Sequence, residues 1–170
     1  GTTIADNRVY SNSLGLETID SPNAQFFGAI RNNLVYANTT VGIQLRRTIG
    51  GAEVTNNTVY QPTGDAIRVE MVATDLRLRN NVLVVGGGYA LSVDTDSQTN
   101  FDSDYNLFHI TGSGKLGRWQ SVDFTTLDEW ARRLGNDRHG LTANPLFVDV
   151  DGADGLLGFV GGVDRGSDDN

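Results

Sequence analysis

Short stretches of alternating apolar and polar residues recur along the first 110 positions, and they recur in step. Ile4-Ala5-Asp6-Asn7-Arg8-Val9-Tyr10 is followed by Ile30-Arg31-Asn32-Asn33-Leu34-Val35-Tyr36 and then by Val54-Thr55-Asn56-Asn57-Thr58-Val59-Tyr60. Leu78-Arg79-Asn80-Asn81-Val82-Leu83-Val84 comes next, and Phe101-Asp102-Ser103-Asp104-Tyr105-Asn106-Leu107 is a weaker fifth copy. The second asparagine recurs at spacings of 26, 24 and 24 residues, and in the fifth copy Asp104 takes its place 23 residues on. A second column keeps the same step: Gly15-Leu16-Glu17-Thr18, Gly42-Ile43-Gln44-Leu45, Ala66-Ile67-Arg68-Val69 and Ala90-Leu91-Ser92-Val93. Alternation with a period of two marks a half-buried strand. Each unit therefore predicts two or three short strands joined by turns.

A repeat of this length, with each unit stacked on its neighbours, predicts a solenoid. The leucine spacing of leucine-rich repeats is absent, so the expectation is an all-β coil of four to five rungs spanning 1–110. Successive strands would lie about 4.8 Å apart. Asparagine suits sharp bends, where it tolerates unusual backbone angles and bonds local backbone groups. Stacked in register, Asn7, Asn33, Asn57 and Asn81 are expected to bond amide to amide along the coil.

From Thr111 the repeat fades, and 111–170 reads as a segment with one short α-helix and a loop-rich tail packing on the coil. Thr126-Leu127-Asp128-Glu129 has the form of a capping box, with Thr126 as N-cap. Trp130, Ala131 and Leu134 give an apolar face, Arg132 and Arg133 suit the last turn, and Gly135 ends the helix.

If Leu16, Ile43, Ile67 and Leu91 point inward, then Glu17, Gln44, Arg68 and Ser92 point out. Two positions further on, Ile19, Arg46, Glu70 and Asp94 also face solvent. This makes Arg46, Arg68, Glu70 and Asp94 the candidate catalytic residues, with Gln44, Arg47, Ser92 and Asp96 as candidate substrate contacts. Glu70 and Asp94, on adjacent rungs about 5 Å apart, repel each other unless an arginine or a cation intervenes. That separation suits a retaining glycosidase, or a cation held against a uronate. The same four charges also suit a plain surface salt-bridge ladder. Tyr10, Tyr36 and Tyr60 form a column that either carries sugar rings or packs between turns. His109 and His139 are weaker candidates.

Composition narrows the partners. Twenty-one acidic against 13 basic residues leave a net charge of −8, which opposes a nucleic-acid backbone as partner. Cysteine is absent, which removes disulfides and thiol chemistry. No apolar run approaches the roughly 18 residues of a membrane span. The tail from Asp149 to Asp168, Asp169 and Asn170 is rich in glycine and aspartate, which makes Ca²⁺ the one cofactor to consider. Its spacing fails the EF-hand loop, so no metal-ligating residue is assigned.

The Asn-Asn-x-Val-Tyr turns resemble the right-handed parallel β-helix repeats of the pectate-lyase-like superfamily. Asp104-Tyr105-Asn106-Leu107-Phe108 and the stretch Asp137-Arg138-His139-Gly140-Leu141 to Ala143-Asn144-Pro145-Leu146-Phe147-Val148-Asp149 resemble the exit from such a helix in secreted bacterial proteins. The resemblance implies a C-terminal portion of a secreted or cell-surface protein, and a packing role for His139. It also implies an extended, acidic polysaccharide as partner, with lyase or glycoside hydrolase activity if the chain is an enzyme. The Asp-Pro-His core of mannuronan epimerases is missing. The other reading is a non-catalytic surface or matrix module that associates with further rungs, or with itself, at open ends.

Overall fold

A computed structural model describes residues 1–20, 26–167 and 169; Asp168 and Asn170 of the aspartate-rich tail lie outside them. Alternating segments of three to six residues form strands, and each circuit of the chain supplies three. The first rung is β1 (Thr2–Ala5), β2 (Arg8–Tyr10) and β3 (Leu14–Ile19); the second is β4 (Gly28–Arg31), β5 (Leu34–Tyr36) and β6 (Val41–Arg46). The third is β7 (Ala52–Thr55), β8 (Thr58–Gln61) and β9 (Asp65–Glu70). The fourth is β10 (Arg77–Arg79), β11 (Val82–Val85) and β12 (Tyr89–Val93). The fifth is β13 (Asp102–Asp104), β14 (Leu107–Ile110) and β15 (Lys115–Trp119). Corresponding strands pair in parallel into three sheets, each running the length of the coil. Ile30, Val54 and Leu78 of the first sheet, Val35, Val59, Leu83 and Phe108 of the second, and Ile43, Ile67 and Leu91 of the third are fully buried. They fill one continuous interior.

The paired asparagines divide two tasks. Asp6, Asn32, Asn56, Asn80 and Tyr105 each take a left-handed backbone conformation, with φ between 55° and 60°. Four of these five are Asn or Asp, the non-glycine types that enter that region most readily. The residue after each bend is the ladder asparagine. The backbone amide and side-chain amide of Asn33 both donate to Oδ1 of Asn57, at 3.0 Å. Asn57 does the same to Asn81, and Asn81 to Asn106. Asn106, 25 residues after Asn81, is therefore the fifth member. The sequence expectation of Asp104 is corrected: Asp104 pairs in register with Arg79. It resembled a ladder residue only because Tyr105, rather than an asparagine, occupies the bend.

Because every amide donates towards the next rung, the last one needs an acceptor. Asp137 supplies it. One carboxylate oxygen accepts from Asn106 Nδ2 at 2.7 Å; the other accepts from the Ser103 hydroxyl at 2.7 Å and from Trp130 Nε1 at 3.1 Å. Burial pushes this carboxyl above the ordinary aspartate value, against the pull of its three donors.

Past residue 110, where the sequence repeat fades, β15 still pairs in parallel with β12. β16 (Val122–Phe124) then folds back antiparallel on it. The helix α1 (Leu127–Leu134) forms as its caps predict: Thr126 Oγ1 accepts from the Glu129 amide, and Gly135 closes the helix at φ 78°. Trp130 is fully buried against Phe124 and Trp119. Its ring lies over Gly117, where a Cβ would stand 2.5 Å from it. α1 therefore covers the C-terminal end of the coil. β17 (Leu141–Thr142) pairs with β14, and β18 (Phe159–Val160) with β19 (Val163–Asp164) makes a small hairpin. No helix among the described residues is long and apolar enough to cross a membrane.

A shorter ladder, absent from the sequence expectations, lies at the next corner. Asn12 donates to Asn38 Oδ1, and the Asn38 amide donates to Gln61 Oε1 at 2.8 Å. It stops there, because the position paired with Gln61 on the next rung is Val85. Gln61 Nε2 is buried without a hydrogen-bond partner among the described residues.

Replacing Asp137 by alanine takes the acceptor from the Ser103 hydroxyl and from Trp130 Nε1, each costing about 1–3 kcal/mol, while Asn106 Nδ2 keeps Ser103 Oγ and Leu78 O. Urea unfolding of Asp137→Ala is expected to show at least about 2 kcal/mol of lost stability. A loss below about 1 kcal/mol contradicts the role of Asp137 as the ladder's terminus.

Candidate functional site

The outward residues of the third sheet stand in rows because its strands pair in register. Glu17, Gln44, Arg68 and Ser92 form one row, which continues to Arg118; Ile19, Arg46 and Glu70 form the next. Asp94 extends the second row just past β12, where its amide donates to Val69 O. The structure thus brings six of the eight sequence-predicted residues onto one face, with Arg47 and Asp96 in the turns at its margin.

The charges on that face are largely committed to one another. Arg46 lies 2.9 Å from Glu17 and 3.1 Å from Glu70, bridging three rungs. Gln44 Nε2 donates to the same Glu70 oxygen at 2.6 Å. The arginine needed near the two carboxylates is Arg46, held on Glu70. The hydrogen bond to Glu17, opposed by desolvation and aided by the Glu17 and Glu70 charges, raises the Arg46 pKa above the arginine value. Arg46 therefore stays a cation. Arg68 points the other way along its strand, onto Asp65 at 2.7 Å, and so leaves the patch. Gln44 and Ser92 are each 6% exposed, outward-facing but largely covered by their neighbours. The Asp94 carboxylate and the Arg47 guanidinium are exposed and have no side-chain partner among the described residues.

Beside this face lies an open groove of ≈ 350 Å³, lined by Arg47, Ile49, Met71, Val72 and Asp96. Ile49, Met71 and Val72 are 42%, 40% and 54% exposed. Met71 Sδ packs 3.0 Å from Arg46 Nη2, joining groove to face. A strip of apolar surface flanked by the Arg47 guanidinium and by Asp96, whose Oδ1 accepts from the Ser97 hydroxyl at 2.8 Å, can hold a chain that has both apolar faces and charges.

The remaining candidates fall elsewhere. Tyr10 and Tyr36 stack at 4.8 Å and 16°. The C-terminal segment covers them: the Tyr10 hydroxyl donates to Asp164 and that of Tyr36 to Gly166 O. His139 Nδ1 lies 2.8 Å from Asp104, and its ring stacks on Tyr105 at 4.8 Å. His109 lines a separate hollow with Thr126 and Asn144. Among the described residues, no three of His, Asp and Glu come together as a metal site.

The family model described as "Right handed beta helix region" matches residues 1–123. The chain belongs to that family. It is also similar to the uncharacterized protein YwoF of Bacillus subtilis (strain 168), at 20% identity over 161 residues. The match covers 86% of this chain and 34% of that protein, so the chain spans about a third of the relative's length. No solved structure matches.

Two parts of this β-helix surface escaped the sequence reading. One is the apolar floor of the groove. Its signal was present, since Ile49, Met71 and Val72 are apolar residues at turn positions where solvent calls for polar ones. The other is the cluster of Tyr89, Lys115, Arg118 and Asp123 further along the third sheet. There the Tyr89 hydroxyl donates to Asp123 at 2.8 Å, and Lys115 pairs with the same carboxylate. Arg118 sits 5.6 Å from the Tyr89 ring centre. Hydrogen bonds from Lys115 and Tyr89 hold Asp123 below the ordinary aspartate value.

The contact between Asp104 and His139 gives a pH test. Burial acts to raise the Asp104 pKa, but hydrogen bonds from the His139 ring and amide and from the Tyr105 amide bring it below the ordinary value. A carboxyl lowered on folding contributes stability above its unfolded pKa and loses it as pH falls through the folded one. His139→Ala is therefore expected to lower the urea midpoint at pH 7, with the gap from the parent closing as acidification protonates Asp104, below the ordinary aspartate range. A gap that widens in acid contradicts this assignment.

Proposed function

We propose that this β-helix is a carbohydrate-binding protein of the pectate-lyase-like kind, acting outside the cell or at its surface on an extended, acidic polysaccharide. The supporting observation is the apolar groove running beside the Arg46 and Glu70 row, with Arg47 and Asp96 at its margin and the exposed Asp94 on the adjoining face. A polymer laid along the coil meets equivalent positions at each rung, about 4.8 Å apart. Ile49, Met71 and Val72 offer the apolar surface on which the C–H faces of sugar rings pack. Arg47 offers a fork for a uronate carboxylate, and Asp94 and Asp96 accept from hydroxyls.

The commitments of the charged residues favour binding over bond cleavage. A base must be able to give up its proton, whereas Glu17 and Glu70 hold Arg46 as a cation. Glu70 already accepts from Arg46 and Gln44, and Arg68 is tied to Asp65. In this reading Arg46, Glu70 and Gln44 fix the shape of the face, while Arg47, Asp94, Asp96 and the groove touch the ligand.

Affinity electrophoresis through gels containing polygalacturonate or a neutral glucan tests this. Retardation is expected in the acidic gel, weakened by salt. Arg47→Ala is expected to weaken binding about fivefold to tenfold, the worth of one exposed charge-assisted contact. Absence of retardation by a panel of acidic and neutral polymers overturns the proposal. If light scattering then shows concentration-dependent association, the surface or matrix module takes its place.

A further inference from the structure

The C-terminal segment returns to the second sheet and encloses a cavity of ≈ 170 Å³ against it, lined by residues none of which lines the groove. Its walls include Leu34, Tyr36, Tyr60, Phe147 and Leu157, and Asp169 closes one side. The cavity lies where the tyrosine column changes course. Tyr36 stacks on Tyr10, but Tyr60, its register partner on the next rung, instead meets Phe147 edge-on at 6.4 Å. The column opens between two aromatic rings.

Asp169 makes this more than a packing gap. It is 2% exposed, and its Oδ2 accepts from the Gly158 amide at 2.8 Å, while Oδ1 is buried without a hydrogen-bond partner among the described residues. The Tyr36 hydroxyl donates to Gly166 O at 3.3 Å, and burial together with the nearby Asp169 carboxylate pushes its pKa up. Arg8 is the neighbouring cation, and its guanidinium donates to the Gly166 and Ser167 carbonyls. A buried carboxylate oxygen without a donor is costly, and a cation entering the cavity would relieve that cost.

We propose that this cavity is a binding site for a small organic ammonium ion carrying a ring or short alkyl groups. The aromatic walls attract a cation through their π faces, and Asp169 supplies the counter-charge. A metal ion is disfavoured, because the site offers one carboxylate and mostly apolar walls instead of a shell of oxygens. An anion would face Asp169. The space suits a ligand of one ring, since a cavity of about 150 Å³ accommodates benzene.

Benzylammonium, with benzyl alcohol as its neutral counterpart of equal size, tests the site on the full chain. Proton NMR is expected to show shifts confined to Tyr36, Tyr60 and Phe147, and calorimetry at least tenfold tighter binding of the cation. Asp169→Asn, which keeps the shape, is expected to abolish that preference, and Tyr60→Ala to weaken both probes. Unchanged thermal midpoints in both variants show that the fold is intact. The proposal is overturned if benzylammonium does not bind, if benzyl alcohol binds as well, or if Asp169→Asn leaves the preference unaltered. Shifts centred on Met71 or Ile49 would overturn it too.

Discussion

An asparagine side chain has a donor end and an acceptor end, and this coil depends on pointing them all the same way. Each ladder asparagine spends one side-chain N–H and its backbone amide on the neighbouring rung. It also reaches back to a carbonyl of the rung before, as Asn57 does to Ile30 O. Polar backbone at a tight corner is thereby satisfied inside an apolar stack without water. A one-way chain of donors leaves a surplus at its end, and an acceptor-only carboxylate is the group that absorbs it. Trp130 and Asp137 therefore act together: the ring seals the interior and donates to the carboxylate that ends the ladder. The second corner shows the contrary case, in which Gln61 meets Val85 and its amide nitrogen remains unpaired.

The same regularity organises the surface. Register turns sequence columns into rows of side chains, and on the third sheet these rows become a network centred on Arg46. Exposed ion pairs of this kind add little stability. Their effect is on chemistry, since a guanidinium held between two carboxylates is fixed in charge and position. Reactive freedom is then confined to residues at the turns, where the repeat is loosest.

How much of this was legible follows from what repeats. The coil was readable because the alternation and the asparagine column recur four times with little variation, while the choice between two and three strands per rung was not. The helix was readable because Thr126, Glu129 and Gly135 act locally. The eight candidate residues were placed on the correct face or its margin, because strand period alone decides which side a residue faces. Their partners were not readable. Whether Arg68 turns towards Glu70 or towards Asp65 is a choice of rotamer that spacing does not encode. The fifth rung misled because Tyr105 takes the bend, shifting the apparent marker to Asp104. Asp137 was hidden for another reason: it occurs once, and only the closed ladder makes its role visible.

The contact between the C-terminal segment and the first rung has a kinetic consequence. Within the coil, ladder partners are 24–26 residues apart, so rungs can add one at a time with short loop closures. Arg8 to Gly166 and Tyr10 to Asp164 instead close loops of 158 and 154 residues. Such closure is entropically the most expensive in the molecule, and it rewards the chain only once the first two rungs exist to receive it. The strap should therefore dock last and open first, well below the free energy of global unfolding. The space beneath it would then exchange with solvent on the strap's own timescale, while the coil stays folded.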